Sequence, residues 1–582
     1  MALHGCACVE PALQEGCGPF CLPSMGAAAC HGGVDCCADQ GNADAEEGAT
    51  RKTIHSMECF ADTQEPMCTF DCDAEGEPMK NRPDIDPAIA TASLMVRREP
   101  RGSQSRLEQS AHLALDREIA RSVPLARTLQ GLGHLWRSRP NKMSQDELLS
   151  LWQSSQKADS YDAFLSHTWW TPGYQKFLSL LLRSYWHFAV LSFAVTCLGI
   201  VIMYVFDILP MPLTFAAEFA QWRYEIPCGP WATISGFVVS LLTLLSAPSF
   251  PCQRFAVFMD VACIHQTDMR LRERGIYSIG GYMTVAKELR ILWSVPYLTR
   301  LWCIFELAGY RRANPQGKLV FQPLLVERNF LVFWFCTFLF SCTFHVINTG
   351  LRLRGAVAIP TLLACGALLP GVHTIRKGFQ EQQRSLRDMA SFDLSRVSCS
   401  SDDDRQFILT AVAEWYGSID AFAEYVRGPL RDELLQVYAE TRAPMSYCLL
   451  AYTPPVAIYA DVVGALWKAG APSEVLWTYC LGEGLSGILG GAILVKVLFI
   501  LAKHFAQPKF ASRGMDYLQS GGVMLVFLLS VGIFLTRPAV YRTLGLPGAL
   551  ATLVVTAPCF AAIFRRDLYK LGHALRACVS GS

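Results

Sequence analysis

The stretch "SVPYLTRLWCIFEL", Ser294–Leu307, decides the reading of this chain. Its second half has the polar entry and apolar spacing of a soluble helix, yet long hydrophobic runs flank it on both sides. Four nearby segments read as short strands: "YDAFLSH" (Tyr161–His167), "FAVFMD" (Phe255–Asp260), "ELRILWS" (Glu288–Ser294) and "KLVFQPLLV" (Lys318–Val326). All are aliphatic and aromatic, and the first three end in polar groups. "GIYSIGGYMTVAKE" between the second and third, and "RLWCIFELAGYRR" between the third and fourth, read as helices. Strands alternating with helices predict a parallel α/β sheet of four strands, with its ligand site beyond the strands' carboxyl ends. Ser166, His167, Asp260 and Ser294 fall at that edge, and Trp169 lies just past the first strand.

Composition explains the flanks. Of 582 residues, 52% are hydrophobic and 17% charged, more apolar than a soluble domain requires. A spanning helix needs about 20 apolar residues, since each adds 1.5 Å across a core of about 30 Å. Eight stretches approach this length: Tyr185–Phe206, Gly229–Ala247, Phe330–Ile347, Gly355–Val372, Ser446–Trp467, Val475–Ala502, Gly521–Thr536 and Leu546–Phe564. Eight spans put both termini on one side. Basic residues at Arg300–Arg328, Arg376–Arg405, Lys503–Arg513 and Arg565–Arg576 assign that side, and the "WCIFEL" segment with it, to the cytosol. Arg352, Arg354, Arg537 and Arg542 in outer loops run against the trend. A net charge of +1 without a Lys/Arg block gives no reason to expect nucleic acid as a partner. Membrane lipid is the partner these spans imply.

Residues 1–100 are rich in Gly, Ala, Asp and Glu and lack a stable hydrophobic period, so they are expected to be a disordered tail. Ten cysteines lie there, from Cys6 to Cys72, at irregular gaps without a Cys/His quartet, which favours free or lipidated thiols over zinc. No metal site is predicted. Residues 101–159 read as a helical lead-in that includes a Ser144–Glu147 capping box. The remaining divisions are a sheet domain over 160–326 interrupted by a hairpin of spans at 185–247, a second hairpin at 330–372, a cytosolic helical segment at 373–445, four spans at 446–564, and a tail at 565–582. In the helical segment, Ser401 caps a helix whose Phe407, Ile408, Ala411, Val412 and Trp415 form one apolar face, expected to pack on the sheet domain or the membrane surface.

The ordered set "YDAFLSH", "FAVFMD", a third strand and "SVPYLTRLWCIFEL" resembles the Toll/interleukin-1 receptor (TIR) fold. That family's first strand reads D-x-F-x-S-H and its third helix W-C-x-x-E-L, matched here at Trp302, Cys303, Glu306 and Leu307. The resemblance covers Ser160–Trp170 and Arg254–Val326. It implies a flavodoxin-like sheet and a module that signals by self-association or protein interaction. It departs from the family in three ways. A membrane hairpin occupies the first crossover, the fifth strand is missing, and "VACIHQTDMRLRERG" lacks the usual R-D-x-x-P-G of the BB loop.

Some TIR domains cleave NAD+ with the glutamate of this helix, so the resemblance also implies Glu306 as a candidate catalytic residue and NAD+ as substrate, with no required cofactor. A carboxylate near the ribose stabilises the oxocarbenium character of the breaking bond. Ser166, His167, Trp169, Asp260 and Ser294 are then positional candidates for binding the dinucleotide. Against this stands a plain packing role, because Trp302, Cys303, Ile304 and Leu307 have the spacing of a buried helical face. A further alternative is ion or solute transport. Asp461, Glu483 and Lys496 lie inside spans, and counting from the loop near Ala471 puts the two carboxylates at similar depth.

Overall fold

The computed structural model describes residues 115–219, 221–250, 255–350, 363–399, 401–440, 444–509 and 511–580. The expected disordered tail and its ten cysteines lie outside these residues, as does the first part of the Gly355–Val372 span.

Among the described residues eight strands form two sheets. β1 (Arg121–Pro124), β2 (Gln156–Lys157), β3 (Ala163–Ser166), β6 (Ala256–Phe258), β7 (Glu288–Trp293) and β8 (Lys318–Pro323) make a six-stranded sheet in the order β2-β1-β6-β3-β7-β8. Within it, β6, β3, β7 and β8 run parallel. Numbered by chain order, these four stand 2-1-3-4, the flavodoxin-like arrangement. The expectation of four parallel strands alone is corrected, because the lead-in adds two antiparallel strands that cover the free edge of β6. These strands are four and two residues long, and β1 runs into Pro124, so neither shows a readable alternation. On the opposite side β8 is the edge, and the chain leaves it directly for a membrane helix.

β3 is buried at all four positions, as a central parallel strand requires. Asp162, just before it, accepts hydrogen bonds from the Ala256 N–H (2.8 Å) and the Lys287 Nζ (2.7 Å), fixing its register against both neighbours.

The crossover from β3 to β6 passes through the membrane segment. A single helix, Gly173–Val205, begins beside the sheet and continues into the apolar bundle. At 1.5 Å per residue its 33 residues extend about 50 Å, some 20 Å more than a hydrocarbon core needs. The surplus is its first turns, where Lys176, Phe177, Ser179, Leu180, Leu181 and Leu182 are all buried. The same rod therefore covers the sheet and crosses the apolar layer.

Among the described residues, six helices are long and apolar enough to span a membrane: Gly173–Val205, Trp231–Ser249, Leu324–Ile347, Met445–Lys468, Ser473–His504 and Arg513–Ile563. Eight were expected; the difference lies in the last element, which holds two of the expected stretches, and in Gly355–Val372, whose first part lies outside the described residues. The stretches Gly521–Thr536 and Leu546–Phe564 lie in two helices joined within Arg513–Ile563, and Arg537 and Arg542 are carried in the first of them instead of ending it. The element turns at Gly545 (φ 63°, ψ −143°), a conformation that favours glycine. Phe534 and Thr556, equidistant along the chain from Gly545, both lie against Gly490, so the two halves fold back on each other. Of the predicted span Gly355–Val372, the described end enters a polar, amphipathic helix at Leu369–Ala390.

The loop between the first two spans is a hairpin of β4 (Leu213–Phe219) and β5 (Trp222–Cys228). Its Phe215, Ala217, Phe219 and Ile226 pack on Ile458, Val462, Tyr479 and Tyr541 of later membrane helices.

The helix Leu301–Ala313 is enclosed on two sides. Cys303, Glu306 and Tyr310 face the sheet, while Trp302 and Phe305 meet the helix Asp402–Tyr416. Ser401 caps that second helix and Gly417 ends it in the left-handed region (φ 85°). Phe407 stacks among Tyr277, Trp302 and Phe305, with ring centroids 5.3–6.5 Å away. Truncating it to alanine is expected to cost about 3 kcal/mol and to raise amide exchange over residues 301–313; unchanged exchange there would show that the cover is dispensable.

Candidate functional site

At the carboxyl end of β3, Ser166 makes two short hydrogen bonds. Its Oγ lies 2.5 Å from the Tyr297 hydroxyl and donates to Glu306 Oε2 at 2.5 Å. Tyr297 is fully buried; with the Ser166 proton on Glu306, its hydroxyl donates to Ser166, and it also lies 3.3 Å from the Cys303 carbonyl, so the short turn Tyr297–Thr299 and the helix after it are tied to the strand end. No Arg or Lys pairs with Glu306 among the described residues. The residue keeps some accessible surface, yet its carboxyl lies deep beneath the molecular envelope. Burial pushes its pKa up to about 8, against the lowering effect of the Ser166 hydrogen bond.

Around that carboxyl stand the other predicted residues. Trp169 donates its indole N–H to Asp260 Oδ2 (2.9 Å), and Asp260 also accepts from the Val261 N–H (2.7 Å) at the start of its own short helix. Ser294 at the end of β7 shares a 2.6 Å hydrogen bond with Thr171, closing the loop 167–172 over the strand ends. His167 is buried with Nε2 unpartnered, edge-on to Trp136 (5.1 Å) and Trp169 (4.8 Å). Burial, aided by the charge of Lys176, lowers its pKa to about 4, which keeps it neutral. Cys303 is buried with its thiol pKa driven well up by burial, which makes it a small core residue and a poor nucleophile.

The structure thus brings Ser166, His167, Trp169, Asp260, Ser294 and Glu306 to one edge of the sheet, at the point where β6 and β7 diverge from β3. Four residues there were not singled out from the sequence: Tyr297, Thr171, Trp136 and Lys176. Lys176 is 1% exposed, and its Nζ sits 4.6 Å from the Trp169 ring centroid and 5.8 Å from that of Trp136. A lone lysine in the apolar run "YQKFLSLLL" was the readable signal; Trp136 carried none.

The intramembrane polar residues do not form one site. Asp461 is fully buried and accepts four hydrogen bonds, from the Tyr204 hydroxyl (2.8 Å), Ala232 N–H (2.8 Å), Thr233 N–H (3.0 Å) and Thr233 hydroxyl (2.8 Å). It caps the first turn of the Trp231–Ser246 helix. Glu483 lies on a π-helical turn, Cys480–Leu485, and binds Arg537 (3.1 Å) and the Tyr541 hydroxyl (2.8 Å). The Lys496 ammonium stands 4.9 Å from the Phe564 ring centroid. Among the described residues no cluster of His, Cys, Asp and Glu has the makings of a metal site.

No protein-family model, curated protein or solved structure matches this chain.

Proposed function

We propose that this chain is a multi-pass membrane protein carrying a TIR-like domain on the cytosolic side, and that the domain signals by assembly with cleavage of NAD+ at Glu306 as its chemical output. The observation that carries the chemical part is the Glu306 carboxyl, deep at the switch point of a 2-1-3-4 parallel sheet and without a cationic partner among the described residues. An ion pair would explain a buried glutamate structurally; a hydroxyl-bonded carboxyl at the carboxyl end of a central parallel strand is the arrangement of a site. When the ribosyl bond breaks, positive charge develops near Glu306 and lowers its pKa, so the carboxylate is stabilised in the transition state more than in the resting protein. Ser166 orients the carboxyl, and the indole of Trp169, held by Asp260, offers a face for a planar base.

The six apolar helices and the reversal at Gly545 support eight crossings with both termini in the cytosol, the span at Gly355–Val372 supplying the remainder. Transport is the weaker reading, because Asp461 and Glu483 are separately bonded and face different helices.

The test is NAD+ consumption by full-length protein in detergent over a range of protein concentrations, beside the Glu306→Ala variant. Turnover that rises with concentration and needs Glu306 supports the proposal. Folded protein without turnover in either form leaves assembly alone as the function.

A further inference from the structure

Between the third and later membrane helices lies a cavity of about 180 Å³. Its inner part is hydrocarbon and aromatic, with Phe333, Phe340, Leu494, Phe527 and Val531 among its walls. Its other end, roofed by the β4–β5 hairpin, is polar and carries Tyr479, Glu483 and Arg542. Aromatic and basic residues of the kind that favour a membrane interface surround the polar end. Exposed Trp467 and Trp477 flank the adjacent turn at Gly470, and Arg542 lies three positions before the reversal at Gly545. The cavity is therefore amphipathic along its length, with the polar end toward water.

The charges at that end decide what it takes. Glu483 is matched by Arg537 and Tyr541. Glu218 stands opposite Arg223 in the register of the hairpin, with no ion pair between them shorter than 4.0 Å, and Glu225 on the same hairpin is itself engaged. Arg542 is bonded to the Tyr541 side chain and lies in the field of Glu483, but its Nε has no hydrogen-bond partner, and among the described residues no carboxylate lies within 4.0 Å of its guanidinium, which rests 5.9 Å from the Phe219 ring. A guanidinium with an open Nε–H above an apolar cavity matches a carboxylate that carries a hydrocarbon tail. An engineered apolar cavity of about 150 Å³ holds one benzene ring, so the tail that fits here has about six to ten carbons.

We propose that this cavity binds a medium-chain fatty acid, with its carboxylate on Arg542 and its chain along Phe333, Phe340 and Val531. The site is independent of the NAD+ reading, and its test is a binding measurement. Full-length protein in phosphatidylcholine nanodiscs is titrated with decanoate, decanol or decyltrimethylammonium, and thermal unfolding is followed. Decanoate is expected to raise the midpoint saturably, with decanol and the cation ineffective. Arg542→Gln is expected to weaken decanoate at least tenfold, Arg542→Lys to retain most of the binding, and Val531→Trp, which fills the cavity, to abolish it. Stronger stabilisation by the cation would show that the hairpin glutamates select the head group and would overturn the proposal. So would an equal decanoate effect in wild type and Val531→Trp, which marks a bilayer effect, or no effect of decanoate at all. Should Arg542→Gln fail to fold, the head-group series and Val531→Trp still decide.

Discussion

Above pH 8 the Glu306→Gln variant is expected to be more stable than the wild-type protein, while consuming NAD+ at least about 100-fold more slowly. Both results follow from one carboxyl. Its pKa stands near 4.5 in the unfolded chain and near 8 in the folded one, chiefly through burial. Between those values the folded protein holds a proton that the unfolded chain has lost, so stability falls as pH rises through that window. Below about pH 4.5 the group is protonated in both states and costs nothing; above about 8 the full penalty applies. Allowing for the residue's partial exposure, this is about 2–3 kcal/mol, less than the shift alone would give. Glutamine keeps the shape and can accept the Ser166 hydrogen bond without the charge, so the difference in unfolding midpoint between variant and wild type should open between pH 5 and 9. The rate loss has a separate origin, since an amide cannot become the anion that the developing oxocarbenium charge calls for. For the same reason wild-type kcat/KM should climb with pH toward a plateau above 8. A flat stability difference across that range would refute the buried, neutral carboxyl described here.

Asp461→Ala is expected to be the most damaging single change in the membrane half, lowering stability by roughly 5 kcal/mol. The side chain accepts from two backbone N–H groups and two hydroxyls, all inside the bundle. Alanine leaves those donors facing hydrocarbon with no water to take them up. Tyr204→Phe removes one of those donors but also the acceptor of the Trp231 N–H (3.2 Å), and should cost about 1–2 kcal/mol. Thermal unfolding of the full-length protein in one detergent distinguishes the two; similar midpoints for Asp461→Ala and wild type would mean that the capping bonds contribute little. Solute flux in liposomes supplies an independent check, because a capping carboxylate predicts none that depends on Asp461.

Legibility differed between the two halves for physical reasons. The parallel strands could be read because each is a compact apolar run closed by polar residues, and their order then brought Ser166, Asp260 and Ser294 to one edge. Glu306 meets Ser166 across 140 positions of chain, with a membrane hairpin between them, and it was the family resemblance that singled it out. β1 and β2 stayed hidden because strands of four and two residues leave no period to detect. In the membrane half, depth could be counted along the helices but direction could not. The π-helical turn at Cys480–Leu485 resets the phase of the fifth spanning helix, so Glu483 faces Arg537 and Tyr541, away from Asp461 at similar depth. The reversal at Gly545 was legible only as a loop, since the basic residues that suggested a break are absorbed into the helix.

The helix Gly173–Val205 has one more implication. Its first turns form a wall of the sheet domain, with Lys176 against Trp169, and its later turns are embedded among the apolar helices, without a break in between. A rigid strut of this kind has no joint at the water boundary to absorb motion. A piston-like slip of one helical turn, about 5.4 Å, would be delivered undiminished beneath Trp169 and Asp260. The domain is thus less a bead hung from a membrane anchor than the upper end of a crankshaft. Cutting it free at residue 160 or 326 would remove a moving part along with the tether.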